Sequence, residues 1–328
     1  MNIEKLFGYI FQHPELIAQP PVLVDIGASG NLHGQWQKIA QYAICIAFDA
    51  DDRDMGYISE KAKNFRQLHI INKIVTDIDE LSTNFYLTSS PYCSSLLAPD
   101  TKSLAEWRFK SLFETEKIIK LKSTSLKKAL DDLNITYVDW FKSDSQGLDM
   151  RLFKNIGQVQ LSTIVADFEP GFIDAYIGED KIVDLLAYMA NMPFWLSNFT
   201  VCGNQRVIIE NLKDAFNQSE TELLLNHSHE SPIFAEITYL NNFKQPQLHT
   251  ERNYLLGCAF TLILKQYAFA SELALSGLAL SGNNVFNLIL QYIKQVTAKP
   301  TVGILFTQPA LAKQKIVNRI IAKLQKLL

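Results

Sequence analysis

Val22-Leu23-Val24-Asp25-Ile26-Gly27-Ala28-Ser29-Gly30 is the stretch whose reading decides the fold. Its first five residues are mostly β-branched and apolar, as a buried strand requires, and the glycines that follow mark a tight turn. Residues 33–42 read as a helix, and the apolar run at 43–48 reads as a second buried strand that stops at Asp49. A strand, a turn, a helix and another strand within about thirty residues make a βαβ unit.

Working outward, the alternation continues. Residues 68–75, 84–88, 138–142, 163–168, 194–201 and 234–240 are strand candidates. Residues 3–16, 125–133, 149–155 and 181–192 carry helical patterning, with Ser125 or Thr124 placed to cap the second of these. A polar excursion at 204–231 separates the last two strands. Strand and helix in turn predict an α/β protein, a mostly parallel sheet with helices on both faces. After residue 242 the period is helical, over 252–274 and 284–296. The expected organisation is an α/β domain at 1–243 and a helical C-terminal extension at 244–328, which either shapes a binding site or mediates self-association as a homo-oligomer.

The last eighteen residues form a basic amphipathic stretch. Lys313, Lys315, Arg319, Lys323 and Lys326 occur there with no acid among them. Such a helix docks with one solvated face, or makes peripheral contact with anionic lipid or another polyanion. Across all 328 residues, 31 basic and 34 acidic side chains leave a net charge of −3, too little for a general nucleic-acid field. Hydrophobic residues at 48% and charged residues at 20% exclude a disordered chain. The N-terminus has no basic segment ahead of its apolar residues, and Glu4 and His13 interrupt them, so no signal peptide is expected. Residues 273–293 are uncharged but too polar for a membrane span. The cysteines Cys45, Cys93, Cys202 and Cys258 form no C-x-x-C pair and read as reduced thiols in a cytoplasmic protein.

The chemistry concentrates at two places. Glycines at the end of a first strand let backbone N–H groups approach a ligand closely. Asp49 lies 22 residues after Gly27, at the end of the next strand. An acid so placed accepts hydrogen bonds from the ribose of a nucleoside. The Gly27-x-x-Gly30 spacing is not the G-x-G-x-x-G of dinucleotide enzymes, and Asp25 suits a ligand with a cationic amino-acid end. In DWFKSDSQGLD, residues 139–149, Asp144 stands just past a strand end. There it serves as a general base, orients a substrate hydroxyl, or only caps the next helix.

Other features read as packing or surface. His227-Ser228-His229-Glu230 lacks a third partnered ligand, so no metal site is expected. Trp36, Trp107, Phe194, Trp195 and Phe199 are expected in the core. Ser94 and Ser95 have no His/Asp partners in the pattern, so no serine nucleophile is expected.

These residues together resemble the FkbM-like family of S-adenosylmethionine-dependent methyltransferases, over residues 21–242. VDIGASG at 24–30 is similar to the family's D-h-G-A segment, and Ala47-Phe48-Asp49 to its A-F-E segment. Residues 74–100 are similar to its strand-turn-strand stretch ending in S-S-L, and 125–157 to its T-L-D-D…D-F-L-K-x-D-x-Q-G-x-E…G block. VADFEPGFIDAYIG at 165–178 fits the strand that follows. The chain departs from the pattern at Asn31, where the family has glycine, and at Asp49 and Asp149, where it has mostly glutamate.

The resemblance implies a class I methyltransferase fold with an antiparallel last strand, S-adenosylmethionine as cofactor, and a hydroxyl acceptor on a sugar, glycan or natural product. It implies that Asp25, Gly27, Ala28, Ser29 and Gly30 hold the methionine end, Asp49 the ribose and Asp77 the adenine. Asp144 then falls on the acceptor side, supported by Lys142 and Asp149, and Ser94 and Ser95, which match the family's serine pair, line the pocket. Two alternatives remain open: a non-catalytic module that keeps the fold, and a nicotinamide-nucleotide oxidoreductase.

Overall fold

A computed structural model describes residues 1–27, 32–48 and 64–298. Ala28, Ser29, Gly30, Asn31 and Asp49, as well as the basic tail with Lys313 to Lys326, lie outside the described residues.

The first strand forms as its composition predicts: β1 (Val22–Ile26) is buried along its whole length. Ahead of it are α1 (Ile3–Phe11) and the short α2 (Pro14–Ala18), split where Pro14 begins a new turn. Asn2 caps α1, its side chain accepting from the Lys5 N–H. The predicted helix at 33–42 is instead two 3₁₀ turns, Gly34–Lys38 and Ala40–Tyr42, that bury Trp36 before β2 (Ile44–Phe48).

The run at 68–75 divides. β3 (Gln67–Ile71) joins β2, while β4 (Ile74–Thr76) leaves for a second sheet. That sheet has the order β4-β6-β5, with β5 (Ser82–Thr88) antiparallel to β6 (Thr115–Ser125). Between them lies α3 (Thr101–Leu104), capped by Asp100.

Ser125 caps α4 (Leu126–Asp132), accepting from the Lys128 N–H at 3.1 Å, as expected. Then follow β7 (Trp140–Ser143), α5 (Asp149–Asn155), β8 (Val165–Phe168), α6 (Ile182–Met189) and β9 (Phe194–Asn204). The polar excursion carries α7 (Gln218–Asn226), held by an Asn217/Glu220 capping box, before β10 (Ser231–Asn241).

The main sheet has the order β3-β2-β1-β7-β8-β10-β9. Strands β3 to β8 in that order pair in parallel, and β10 runs antiparallel to both β8 and β9. The crossing from β2 through β1 to β7 reverses the direction in which strands are added, and ligands bind at the carboxyl ends of strands beside such a reversal.

Alternation along each strand sends side chains to two separate cores. Val24, Ile46, Phe141 and Ala166 pack with α4, α5 and α6. Leu23, Cys45, Trp140, Val165 and Leu240 pack on the other face with α1 and the helices that follow residue 250. Those are α8 (Glu251–Ile263), α9 (Tyr267–Ser281) and α10 (Asn284–Thr297). The single helix expected at 252–274 breaks because Lys265 adopts φ 59°, and the Gln266 amide then donates to the Ser197 hydroxyl at 2.8 Å.

The helices after residue 243 therefore share a hydrophobic cluster with the sheet. Trp36 and Trp107 are buried as expected, whereas Phe199, expected in the core, is 38% exposed on β9, the edge strand of the sheet. Among the described residues no helix is long and apolar enough to cross a membrane.

A buried ion pair joins α8 to the sheet. Arg252 donates to both Asp139 carboxylate oxygens, at 2.8 and 2.7 Å, and to the carbonyls of Gln19 and Pro20. Asp139 also accepts from the Val22 N–H at 2.9 Å. Breaking a buried pair strands a charge and costs about 3–5 kcal/mol. Arg252→Met should therefore lower the urea midpoint of unfolding sharply; an unchanged midpoint would show that α8 is held by apolar packing alone.

Candidate functional site

Where β1 ends, Gly27 adopts φ 77°, and a Cβ built there would stand 2.1 Å from the Asp144 carbonyl oxygen. The Asp144 N–H donates to the Ile26 carbonyl at 3.0 Å, so the ends of β1 and β7 cross in direct backbone contact. Only glycine satisfies both the left-handed φ and the closeness. Gly27 and Asp144, both singled out in the sequence, thus stand side by side at the ends of β1 and β7.

A cleft opens beside that contact. Ile26, Phe48, Val75, Phe85 and Leu96 give it apolar walls, and Gly27, Lys73, Ser94, Asp144, Ser145 and Gln146 are among the remaining lining. An apolar slot that carries a few polar groups suits a small ligand such as a nucleoside.

Asp144 is held by a chain of side chains. The Gln146 amide donates to its Oδ1 at 2.6 Å, and the Tyr176 hydroxyl lies 2.8 Å from Gln146 Oε1 and 2.9 Å from the Cys93 carbonyl. Ser95 donates to the Gln146 carbonyl at 2.8 Å. Gln146 and Gly147 take φ 55° and 111°, which turns the chain sharply after Asp144. Burial pushes the Asp144 carboxyl up to about 6, Lys142 opposing the rise and Asp149 adding to it. Asp144 does not cap the next helix; the residue ahead of α5 is Leu148.

A second cleft lies on the other side of β7. One row of paired residues runs across the sheet here, Asp25 opposite Lys142, Lys142 opposite Asp167, Asp167 opposite Thr238, and Thr238 opposite Asn198, and all but Asp25 line the cleft. These share the sheet face that carries Trp140 and Leu23 deeper in. Lys142 Nζ lies 3.1 Å from Asp25 Oδ1, and the His33 N–H donates to Asp25 Oδ2. Asp167 accepts from the Trp140 indole and the Thr238 hydroxyl, each at 2.6 Å.

Burial works to lower the Lys142 ammonium, but Asp25, Asp144 and Glu169 outweigh it and hold the ammonium above its ordinary range. Burial lowers His33, against the pull of Asp167 and Asp25. Glu169, at the end of β8, is pushed up to about 8 by burial, with Asp144 adding to the rise and Lys142 opposing it.

The residues expected at the site thus divide. Gly27 and Asp144 line the first cleft and Lys142 the second. Asp25 lines neither: it is fully buried, and its carboxylate is engaged with Lys142 and the His33 backbone rather than open to a ligand. Asp149 is also turned inward, accepting from the Ser143 hydroxyl and the Ser145 N–H on one oxygen and from the Glu169 N–H on the other. It ties the ends of β7 and β8 together and is a positioning residue. Asp77 opens onto a separate hollow with Asp79 and Ser125. Ser94 lines the first cleft as expected, and Ser95 is buried.

Glu169, Glu236, Asp167, His33 and Tyr176 were not singled out in the sequence. Glu169 sits in VADFEPGF directly after a strand, a position that strand ends give to ligand-facing groups, so a signal was there. Glu236 sits inside a strand whose residues alternate between core and cleft, and only the pairing with β8 shows which way it faces.

No protein-family model matches the chain, and a search of curated proteins finds no match.

Gly27→Ala tests the crossing. The left-handed φ alone costs an alanine about 1–2 kcal/mol, and its methyl would have to displace the Asp144 carbonyl. The variant should lose thermal stability and any ligand of the first cleft together. Wild-type stability with full ligand affinity would contradict the described contact.

Proposed function

We propose that the protein is an S-adenosylmethionine-dependent methyltransferase acting on a hydroxyl oxygen of a sugar, glycan or natural product. The observation that carries this reading is the strand order combined with the cleft. Class I methyltransferases add an antiparallel strand between the fifth strand and the edge, and here β10 runs antiparallel between β8 and β9. The dinucleotide-binding order of nicotinamide enzymes, 3-2-1-4-5-6, has no such strand. The resemblance over residues 21–242 points the same way. A cytoplasmic setting belongs to this reading, and Cys45, Cys93, Cys202 and Cys258 are all free thiols.

The residues present fit the cofactor. Gly27 leaves no side chain over the mouth of the first cleft, whose apolar walls at Phe48, Val75 and Phe85 suit an adenosine. Ser145 and Gln146 offer polar groups beside Asp144. When bound, the sulfonium supplies a methyl group activated for in-line displacement.

What remains for the chain is alignment, which contributes by holding donor and acceptor at reacting distance. Asp144 stands at the partition between the two clefts, its orientation set by Gln146 and Tyr176. A carboxylate fixed there orients an acceptor hydroxyl. Lys142, on the far side of the partition, is locked in place by its ion pair with Asp25.

The test is incubation with methyl-labelled S-adenosylmethionine and a panel of hydroxylated acceptors. Label should appear in a base-stable methyl ether. Asp144→Asn should lower that turnover by about tenfold or more while cofactor affinity stays within about twofold. Cofactor binding without label transfer to any acceptor would favour the non-catalytic module, and unchanged turnover in the variant would remove Asp144 from the site.

A further inference from the structure

The second cleft has a composition that the donor reading leaves unused. Its charged row is already neutralised: Lys142 pairs with Asp25, and Asp167 is satisfied by Trp140 and Thr238. Two carboxylates remain, Glu169 at the end of β8 and Glu236 on β10. Among the described residues, neither side chain forms an ion pair. The backbone N–H of Glu169 donates to Asp149 at 2.7 Å, which fixes where this residue leaves the strand. Asn198, Thr238 and Ser143 add neutral hydrogen-bonding groups to the same cleft.

We propose that this second cleft receives a hydroxylated methyl acceptor that carries no acidic group, and that Glu169 takes the proton from the acceptor oxygen. The inference rests on the methyltransferase reading and names the substrate class and the base for it. Position is the first argument. The two clefts share the end of β7 as their partition, Asp144 facing one and Lys142 and Ser143 the other. A molecule in the second cleft would therefore meet one in the first over the end of β7, past Asp144.

Charge is the second argument. An acceptor bearing a carboxylate or phosphate would meet the Glu236 carboxylate, and that of Glu169 once it ionises, with no unpaired cation among the described residues to offset them. A neutral or aminated polyol meets no such penalty and finds acceptors and donors on all sides.

The groups that face Glu169 are Asp144, Lys142 and Asp149 from β7 and α5, and Glu236 from β10; the Cys202 thiol on β9 is itself pushed up by burial, by Glu236 and by Glu169. His33 and Asp167 line the same cleft. Together they keep the carboxyl of Glu169 raised to about 8, so the ionised form that takes the proton grows as the pH rises toward that value, and turnover should rise with it.

The step balances. The acceptor O–H bond breaks and its proton passes to Glu169. The acceptor oxygen forms the new bond to carbon as the carbon–sulfur bond breaks, and sulfur keeps that electron pair as a neutral thioether. Glu169 then returns its proton to water.

The test uses the full chain, with and without S-adenosylhomocysteine, and three probes: methyl α-glucopyranoside, glucosamine and glucuronate. Saturation transfer to the neutral and aminated probes should exceed that to glucuronate by about threefold or more. The preference should vanish in the Glu169→Gln/Glu236→Gln double variant while S-adenosylhomocysteine affinity is kept. Equal transfer to all three probes, no transfer to any, or a preference that survives the double variant would overturn the acceptor class.

The carboxyl carbon of Glu169, assigned by its loss in Glu169→Gln, should titrate near 8. Titration at the ordinary glutamate value would remove it as the base. A wild-type protein that discriminates among the probes but does not bind S-adenosylhomocysteine would refute the donor reading and the proton role, and leave the charge preference of the cleft standing.

Discussion

The Asp25–Lys142 ion pair is the constraint around which both clefts are arranged. A strand pair at the centre of a sheet ordinarily carries apolar side chains, yet here an aspartate and a lysine stand opposite each other on β1 and β7. Asp25 is wholly buried, and a charged carboxylate taken out of water needs partners there. Lys142 and the His33 N–H supply the compensation. Removing either partner would leave an unpaired charge among apolar groups. The pair therefore fixes the side chain of Lys142 in the partition, and the rest of the row, Asp167 with Trp140 and Thr238, continues the same neutralisation toward β10.

Rigidity at this partition comes from both sides of the sheet. On one side, Asp149 gathers the Ser143 hydroxyl and the Ser145 and Glu169 N–H groups, so the ends of β7 and β8 move as one unit. On the other, α8 is anchored by Arg252, whose partner Asp139 also accepts from Val22 at the start of β1. The beginnings of the two central strands are thus tied by one buried pair and their ends by another. The helices from α8 to α10 fill the sheet face under the second cleft, and Leu264, at the end of α8, reaches its lining.

Much of this was legible in the sequence, and the parts that were not have physical causes. β1 and α5 were readable because a fully buried strand and a short amphipathic helix leave strong local patterns; α5 falls on the predicted 149–155. β6 was missed because its exposed half, Thr115 to Lys122, mixes charged and apolar residues with neither a regular alternation nor a long apolar run. The run at 68–75 hid a bend at Asn72-Lys73 that sends its two halves to different sheets, and hydrophobic periodicity does not register such a turn.

At the site, Gly27 and Asp144 were visible through glycine and strand-end logic. The inward roles of Asp25 and Asp149 were not, because a carboxylate near a ligand cleft and one buried under it look alike in sequence. Arg252 and Asp139 pair across 113 positions, and no local pattern announces such a contact.

The most direct measurement of the central claim is a calorimetric titration of the purified protein with S-adenosylmethionine, S-adenosylhomocysteine and NADH in parallel. The account predicts that both sulfur ligands bind with dissociation constants on the order of micromolar and that NADH gives no heat beyond dilution. Binding of NADH, or of neither sulfur ligand, would contradict it.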